Sequence, residues 1–340
     1  FWAWRRRARA ALWAATPHRR RALGLVVVAS YLVAAGCTAK PAGNADAAQA
    51  GDAPDGGGGP EVTQWSVHDL FFVAQTPHAW NDFPLEVTFT HSASGTQLTL
   101  DGFWDGGDTW TVRYALPLTG LWTWRTFSSD AGLAGSGSLS CVAPSAFVVA
   151  ANPNYRGHVR VAADGRHFEH ADGTPFFYLG DTNWNLMLSD WPGVGAPLCD
   201  LGGNFELWAN DRRAKGFSVV EGRYFELGAH NEGGHPFPGN TDDNGDWSSL
   251  NPVFFQSADT RMQYLFGYGF VVAAHPDWII QKNATLAEVE DISRYLMARY
   301  GAFDIVWSLT GELQMAIDAG HPEWTASDWA KLRDLGAFVL

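Results

Sequence analysis

The chain has 340 residues, enough for about two domains, and 46% of them are hydrophobic, so both can bury a core. The formal charge is −13; residues 1–36 hold seven arginines and no acid, so the remainder carries −20, a balance that repels phosphate and excludes a nucleic-acid partner. Trp occurs 17 times, and an indole serves either as core or as a stacking platform for the apolar face of a sugar ring.

The N-terminus reads as an address. Arg19, Arg20 and Arg21 form a basic region, and Leu23 to Ala35 is an apolar run of signal-peptide length, too short to span a bilayer. Val33-Ala34-Ala35-Gly36-Cys37 matches a bacterial lipobox, in which the Cys37 thiol takes a diacylglyceryl group; the alternative is an ordinary signal peptide with a chance Cys. Residues 1–37 are therefore expected to be a lipoprotein signal peptide. Residues 38–60, small and polar without periodicity, are expected to be a flexible linker. This predicts a cell-envelope or extracellular protein, anchored through lipid to a bacterial membrane. The first residue is Phe1 and the last segment reads as an unfinished helix, so the chain is expected to be a fragment of a longer product.

Residues 61–149 read as short strands broken by Gly, Asp and Ser: 84–91, 96–105, 109–117 and 121–129. Val87 and Phe89, then Trp122 and Trp124, alternate with Thr and Arg, which predicts an antiparallel, immunoglobulin-like β-sandwich. Trp104, Trp110, Trp122 and Trp124 either line a sugar platform or fill the core, and alternation favours the core. Cys141 and Cys199 either pair or remain free thiols.

Residues 152–340 change grammar. Strand-like runs at 176–182, 217–224, 270–276 and 304–313 alternate with helix-like stretches at 206–216, 252–269, 285–301 and 327–340. Asn251-Pro252 opens the second helix, and Thr285 with Glu288 forms a capping box for the third. Four strand–helix units in order make the first half of a (β/α)8 TIM barrel; a doubly wound sheet would need a Gly-rich phosphate turn after its first strand, which is absent. The predicted strand ends carry Asp181, Arg223, His275 and Glu312, and a barrel places its active site there.

These segments resemble a known family. RVAADGRHFEHADGTPFFYLGDT (160–182) with Trp184, RRAKGFSVVEG (212–222), NPVFFQSADTRMQYLFGYG (251–269) and DIVWSLTGE (304–312) are similar to successive units of the apiosidase-like glycoside hydrolase barrels. The stretch 61–149 resembles the domain of unknown function that often precedes that barrel. The resemblance implies a retaining pair of carboxylates at the ends of strands four and seven. Glu312 matches the first of these, and the second has no counterpart within these residues.

On this reading Glu312 is the acid/base, its carboxyl raised by the apolar run Ile305-Val306-Trp307; the alternative is a loop glutamate capping the next helix. Asp181 either binds a sugar hydroxyl or holds its own turn, and Trp184 is either a platform or core. Arg223 and His275 either orient Glu312 or bind substrate; Glu221 is placed to pair with Arg223, and Trp307 is a further substrate-binding candidate. The long loop 226–250 is expected to shape the cleft. Its Asn240, Asp242, Asn244 and Gly245 begin like a calcium loop, but position twelve is Asn251 and no helix precedes it; His230 and His235 do not make a zinc site. No metal or cofactor is expected. The sequence thus predicts a glycoside hydrolase acting on plant or microbial polysaccharide or oligosaccharide. Its competitors are a non-catalytic glycan-binding surface lipoprotein and a spacer without a ligand.

Overall fold

A computed structural model describes residues 59–188, 204–225, 229–239, 246–276, 284–309, 311 and 325–339. The signal peptide, Cys37, nearly all of the linker, Cys199, the calcium-like residues 240–245 and Glu312 lie outside the described residues.

Eight strands form the first layer pair: β1 (Glu61–Thr63), β2 (His68–Val73), β3 (Glu86–His91), β4 (Gln97–Asp101), β5 (Phe103–Trp104), β6 (Thr109–Tyr114), β7 (Gly120–Phe127) and β8 (Ser136–Val142). One sheet has the order β1-β8-β7-β3-β4 and the other β2-β6-β5. All pairings are antiparallel except β1 with β8. Alternation along β7 is strict: Trp122, Trp124 and Thr126 are buried, while Leu121, Thr123, Arg125 and Phe127 face solvent. Trp110, Trp122 and Trp124 therefore belong to the core, with Val87, Phe89 and Val112. The indole of Trp122 donates to the Leu118 carbonyl (2.8 Å) and that of Trp104 to Gly107 (2.8 Å), so neither polar edge is left unsatisfied. Cys141 is a buried free thiol, pushed up to about 11 by burial.

A short helix, α1 (Ala146–Ala151), leads into a small antiparallel sheet of β9 (Arg160–Val161), β10 (Phe168–Glu169) and β11 (Pro175–Phe176). Then come β12 (Gly180–Thr182), α2 (Asn204–Ala214), β13 (Val219–Arg223), α3 (Pro252–Gly267), β14 (Val271–His275), α4 (Leu286–Tyr300), β15 (Ile305–Trp307) and α5 (Ala326–Val339). The four later strands form one parallel sheet in chain order, β12-β13-β14-β15. Local chemistry sets the helix starts: Asn251 accepts from the Val253 N–H (3.1 Å), and Thr285 and Glu288 close the capping box. Gly216 and Gly269 end their helices at φ +82° and +77°, where a side chain would be strained. Among the described residues no helix is long and apolar enough to cross a membrane.

The structure departs from the sequence reading at 176–182. That run is two strands in two sheets, because Ser218 intervenes: its hydroxyl donates to the Phe177 carbonyl (2.6 Å) and accepts from the Leu179 N–H (3.1 Å), bending 177–179. The fourth strand is also shorter than expected, spanning Ile305–Trp307 rather than 304–313.

The antiparallel layers and the α/β layers are joined by buried charge. Arg113 of β6 holds Asp69 (2.8 and 3.1 Å) and Asp259 of α3 (3.1 and 3.0 Å). Arg299 of α4 holds the same Asp259 (2.9 and 2.7 Å) and reaches Asp105 (3.0 Å). Burial alone would raise the Asp259 carboxyl, but the two guanidinium charges hold it below the usual range. Nearer the surface, Arg294 grips Asp101 through two bonds of 2.7 Å.

Candidate active site

Strand register sorts the sequence-selected residues onto two faces of the parallel sheet. Thr182 is opposite Glu221, which is opposite Ala273 and then Val306; Arg223 is opposite His275. Side chains alternate along each strand, so these positions share one face. Toward the strand starts this face is apolar, with Val219, Val271, Ala273 and Val306 packed together. Toward the strand ends it is polar.

Three of the candidates meet there. The Arg223 guanidinium donates through Nε to the Trp184 carbonyl (3.2 Å). The Trp184 ring lies 6.0 Å from that of His275, tilted by 57°. His275 is buried and is level with Arg223 in the neighbouring strand. One step below, Thr182 donates to Glu221 (2.9 Å), and both are exposed. The result is a cation, an imidazole, a carboxylate and an indole at one end of a parallel sheet. Such groups can hold and orient a hydroxylated ligand against an apolar ring.

The other two candidates sit on the opposite face. Asp181 is level with Val220, and Trp307 with Ala274, in the row that packs toward the helices. Asp181 is engaged by α2: Arg212 donates to its carboxylate, as does the Trp208 indole (3.2 Å). Burial would raise Asp181, but the hydrogen bonds from Arg212 and Trp208 outweigh it and hold the carboxyl below its ordinary value. Trp307 lies against Tyr224 (ring centroids 5.7 Å), which stacks on Tyr300 of α4 at 4.9 Å. Glu312 lies outside the described residues.

Residues that sequence reasoning passed over anchor the segment between β13 and α3. Glu232 and Arg261 of α3 form a fully buried ion pair (2.7 Å), and Ser257 donates to Glu232 (2.8 Å). Arg261 also caps the Leu188 carbonyl (3.1 Å), tying together the segments after β12 and β13. The buried Asn231 amide donates to the Met187 and Phe254 carbonyls (both 3.1 Å). The available signal was an arginine inside the apolar α3 pattern, whose burial calls for an acid and further acceptors. Asn251 uses its amide nitrogen on the Gly233 and His235 carbonyls and its oxygen on Val253, so it is a helix cap. His235 bonds the Ala229 carbonyl (3.1 Å), and the described residues contain no group of three or more His, Cys, Asp or Glu placed to hold a metal.

The family model described as "Apiosidase-like, catalytic domain" matches residues 162–334, and a domain of unknown function, DUF5060, matches 61–129. The fold is similar to that of a candidate glycoside hydrolase from Bacteroides vulgatus ATCC 8482, with a TM-score of 0.60 and 20% identity. That likeness covers 81% of this chain and 53% of the other, so the chain spans about half the length of the structure it matches. A family 5 glycoside hydrolase from the same organism matches at TM-score 0.40 and 17% identity over 54% of this chain and 38% of its own. No curated protein sequence matches the chain.

Proposed function

Because this chain belongs to the apiosidase-like family of glycoside hydrolases, we propose that it contributes the first half of a (β/α)8 barrel to a retaining O-glycosidase. The observation that carries the barrel reading is the sheet itself: four parallel strands in chain order, helices packed on one face, and Thr182, Glu221, Arg223 and His275 at the strand ends of the other. The substrate on this reading is a plant or microbial polysaccharide or oligosaccharide. Trp184, Arg223 and His275 contact or orient it. Asp181 and Trp307 support the site from the helix side.

Glu312 acts as the acid/base: it protonates the departing glycosidic oxygen while a second carboxylate, outside these 340 residues, attacks the anomeric carbon. The glycosyl–enzyme bond is then cleaved by water, which Glu312 deprotonates. Export and lipid attachment through Cys37 would place this chemistry at the bacterial surface. A non-catalytic glycan binder would need exposed Trp platforms in the sandwich, and its Trp110 and Trp122 are core residues.

The test is hydrolysis of aryl glycosides and pectic oligosaccharides by the full-length gene product. Glu312→Gln should abolish turnover while leaving the protein folded. Wild-type rates in that variant would overturn the assignment.

A further inference from the structure

A second cleft lies on the seam between the sandwich and the α/β layers, at the end of α3 away from the strand-end site. It has a volume of about 370 Å3 and is lined by Ser66, His68, Asp69, Arg113, Tyr155 and Gln263, with the Phe266 ring beside them. Its size and mixed lining fall within the range of small-ligand sites.

The polar groups around it are prearranged. Asp69 is fixed by two bonds from Arg113 (2.8 and 3.1 Å), leaving one lone pair on each carboxylate oxygen. Arg113 is itself held by Asp259, so both groups are already fixed in place. The Ser66 hydroxyl lies against the Thr63 carbonyl and 2.6 Å from His68 Nε2, an arrangement that suits Nε2 as the donor and Nδ1 as an acceptor. Burial lowers the His68 pKa and keeps the ring neutral. The Tyr155 hydroxyl and the Gln263 amide make no hydrogen bond among the described residues, and the Tyr155 ring packs on Phe266 at 5.9 Å.

We propose that this seam cleft is a non-catalytic binding site for a neutral mono- or disaccharide. Asp69 and His68 Nδ1 accept from sugar hydroxyls, Tyr155 and Gln263 donate and accept, and Phe266 covers an apolar sugar face. Arg113 and Arg299 are together matched by Asp69, Asp259 and Asp105, so the seam has no excess positive charge for an anion and an uncharged polyol suits it. The site is separate from the proposed glycosidase chemistry and does not depend on it.

The experiment is ligand-observed saturation-transfer NMR on the full chain, with glucose, xylose, cellobiose and xylobiose as probes. At least one should bind. Tyr155→Phe, which keeps the ring and removes one oxygen, and Gln263→Ala should each weaken that binding by at least about threefold, the loss of one net hydrogen bond. Trp184→Ala, at the strand-end site, should leave the part of the signal that depends on Tyr155 and Gln263 unchanged. Absence of binding by all four probes would overturn the proposal. So would binding that Trp184→Ala removes and the two seam substitutions leave intact, an outcome that would instead support the glycosidase cleft.

Discussion

Arg113 of the sandwich and Asp259 of the α/β layers are 146 residues apart in sequence, yet they meet through two buried hydrogen bonds of 3.1 and 3.0 Å. Arg299 binds the same carboxylate from the other side (2.9 and 2.7 Å). Two cations share one buried acid, and each has a further carboxylate partner, Asp69 for Arg113 and Asp105 for Arg299.

Asp259→Asn should therefore cost about 3–5 kcal/mol, the usual penalty for breaking a buried pair from one side. Urea unfolding followed by Trp fluorescence and by far-ultraviolet circular dichroism should show both signals moving together to a lower midpoint. A loss below about 1 kcal/mol would mean that the seam is solvated rather than locked.

Asp304 predicts a pH dependence. It is buried at the start of β15; Oδ1 accepts from the Val159 N–H (3.0 Å), and Oδ2 has no hydrogen-bond partner. Burial raises its pKa, opposed by His158, the Val159 bond and His170. A carboxyl whose folded pKa exceeds its unfolded one stabilises the fold fully below the unfolded value, and that contribution is lost as pH rises through the folded value. Relative to Asp304→Asn, the wild type should thus lose stability as pH rises above the ordinary carboxylate value of about 4. Melting temperatures of both proteins across that range test this; parallel curves would contradict it.

Arg261→Met should leave Glu232 buried without its cation and destabilise by about 3–5 kcal/mol. Adding Glu232→Gln should recover part of that loss. Hydrogen exchange at residues 231–234 is the direct readout, and protection unchanged in Arg261→Met would show that the pair does not anchor the segment.

Within the strand-end site, the two faces of the sheet predict different phenotypes. Arg223→Ala should lower kcat/KM of the full-length enzyme by roughly tenfold or more, as expected for one charge-assisted hydrogen bond. Asp181→Asn, which loosens only the contact with α2, should alter thermal stability and leave KM within about twofold. Equal effects on KM would show that both side chains reach substrate.

What the sequence made legible was chemistry confined to a few neighbouring residues. The Thr285–Glu288 box, the Asn251-Pro252 helix start and the alternation of Trp122 and Trp124 are all realised where they were read. Pairings across the fold were invisible. Nothing near Arg113 in sequence announces Asp259, and nothing near Glu232 announces Arg261. The candidate site was legible by level and not by face. Asp181 and Thr182 are adjacent, and a single step along a strand turns a side chain from the sheet surface to the helix layer. The strand at 176–182 was read as continuous because its apolar run is continuous; the Ser218 hydroxyl that divides it comes from 39 or more residues away.

That division sets a limit on how this stretch of chain can vary. Phe176 pairs with Phe168 in one sheet, and only four positions later Gly180 pairs with Val219 in another. A residue inserted between them would have to bulge outward beside the exposed Phe177 and Tyr178 or break the bonds by which Ser218 holds Phe177 and Leu179. Length, more than composition, should be the property that natural variants of this segment hold fixed.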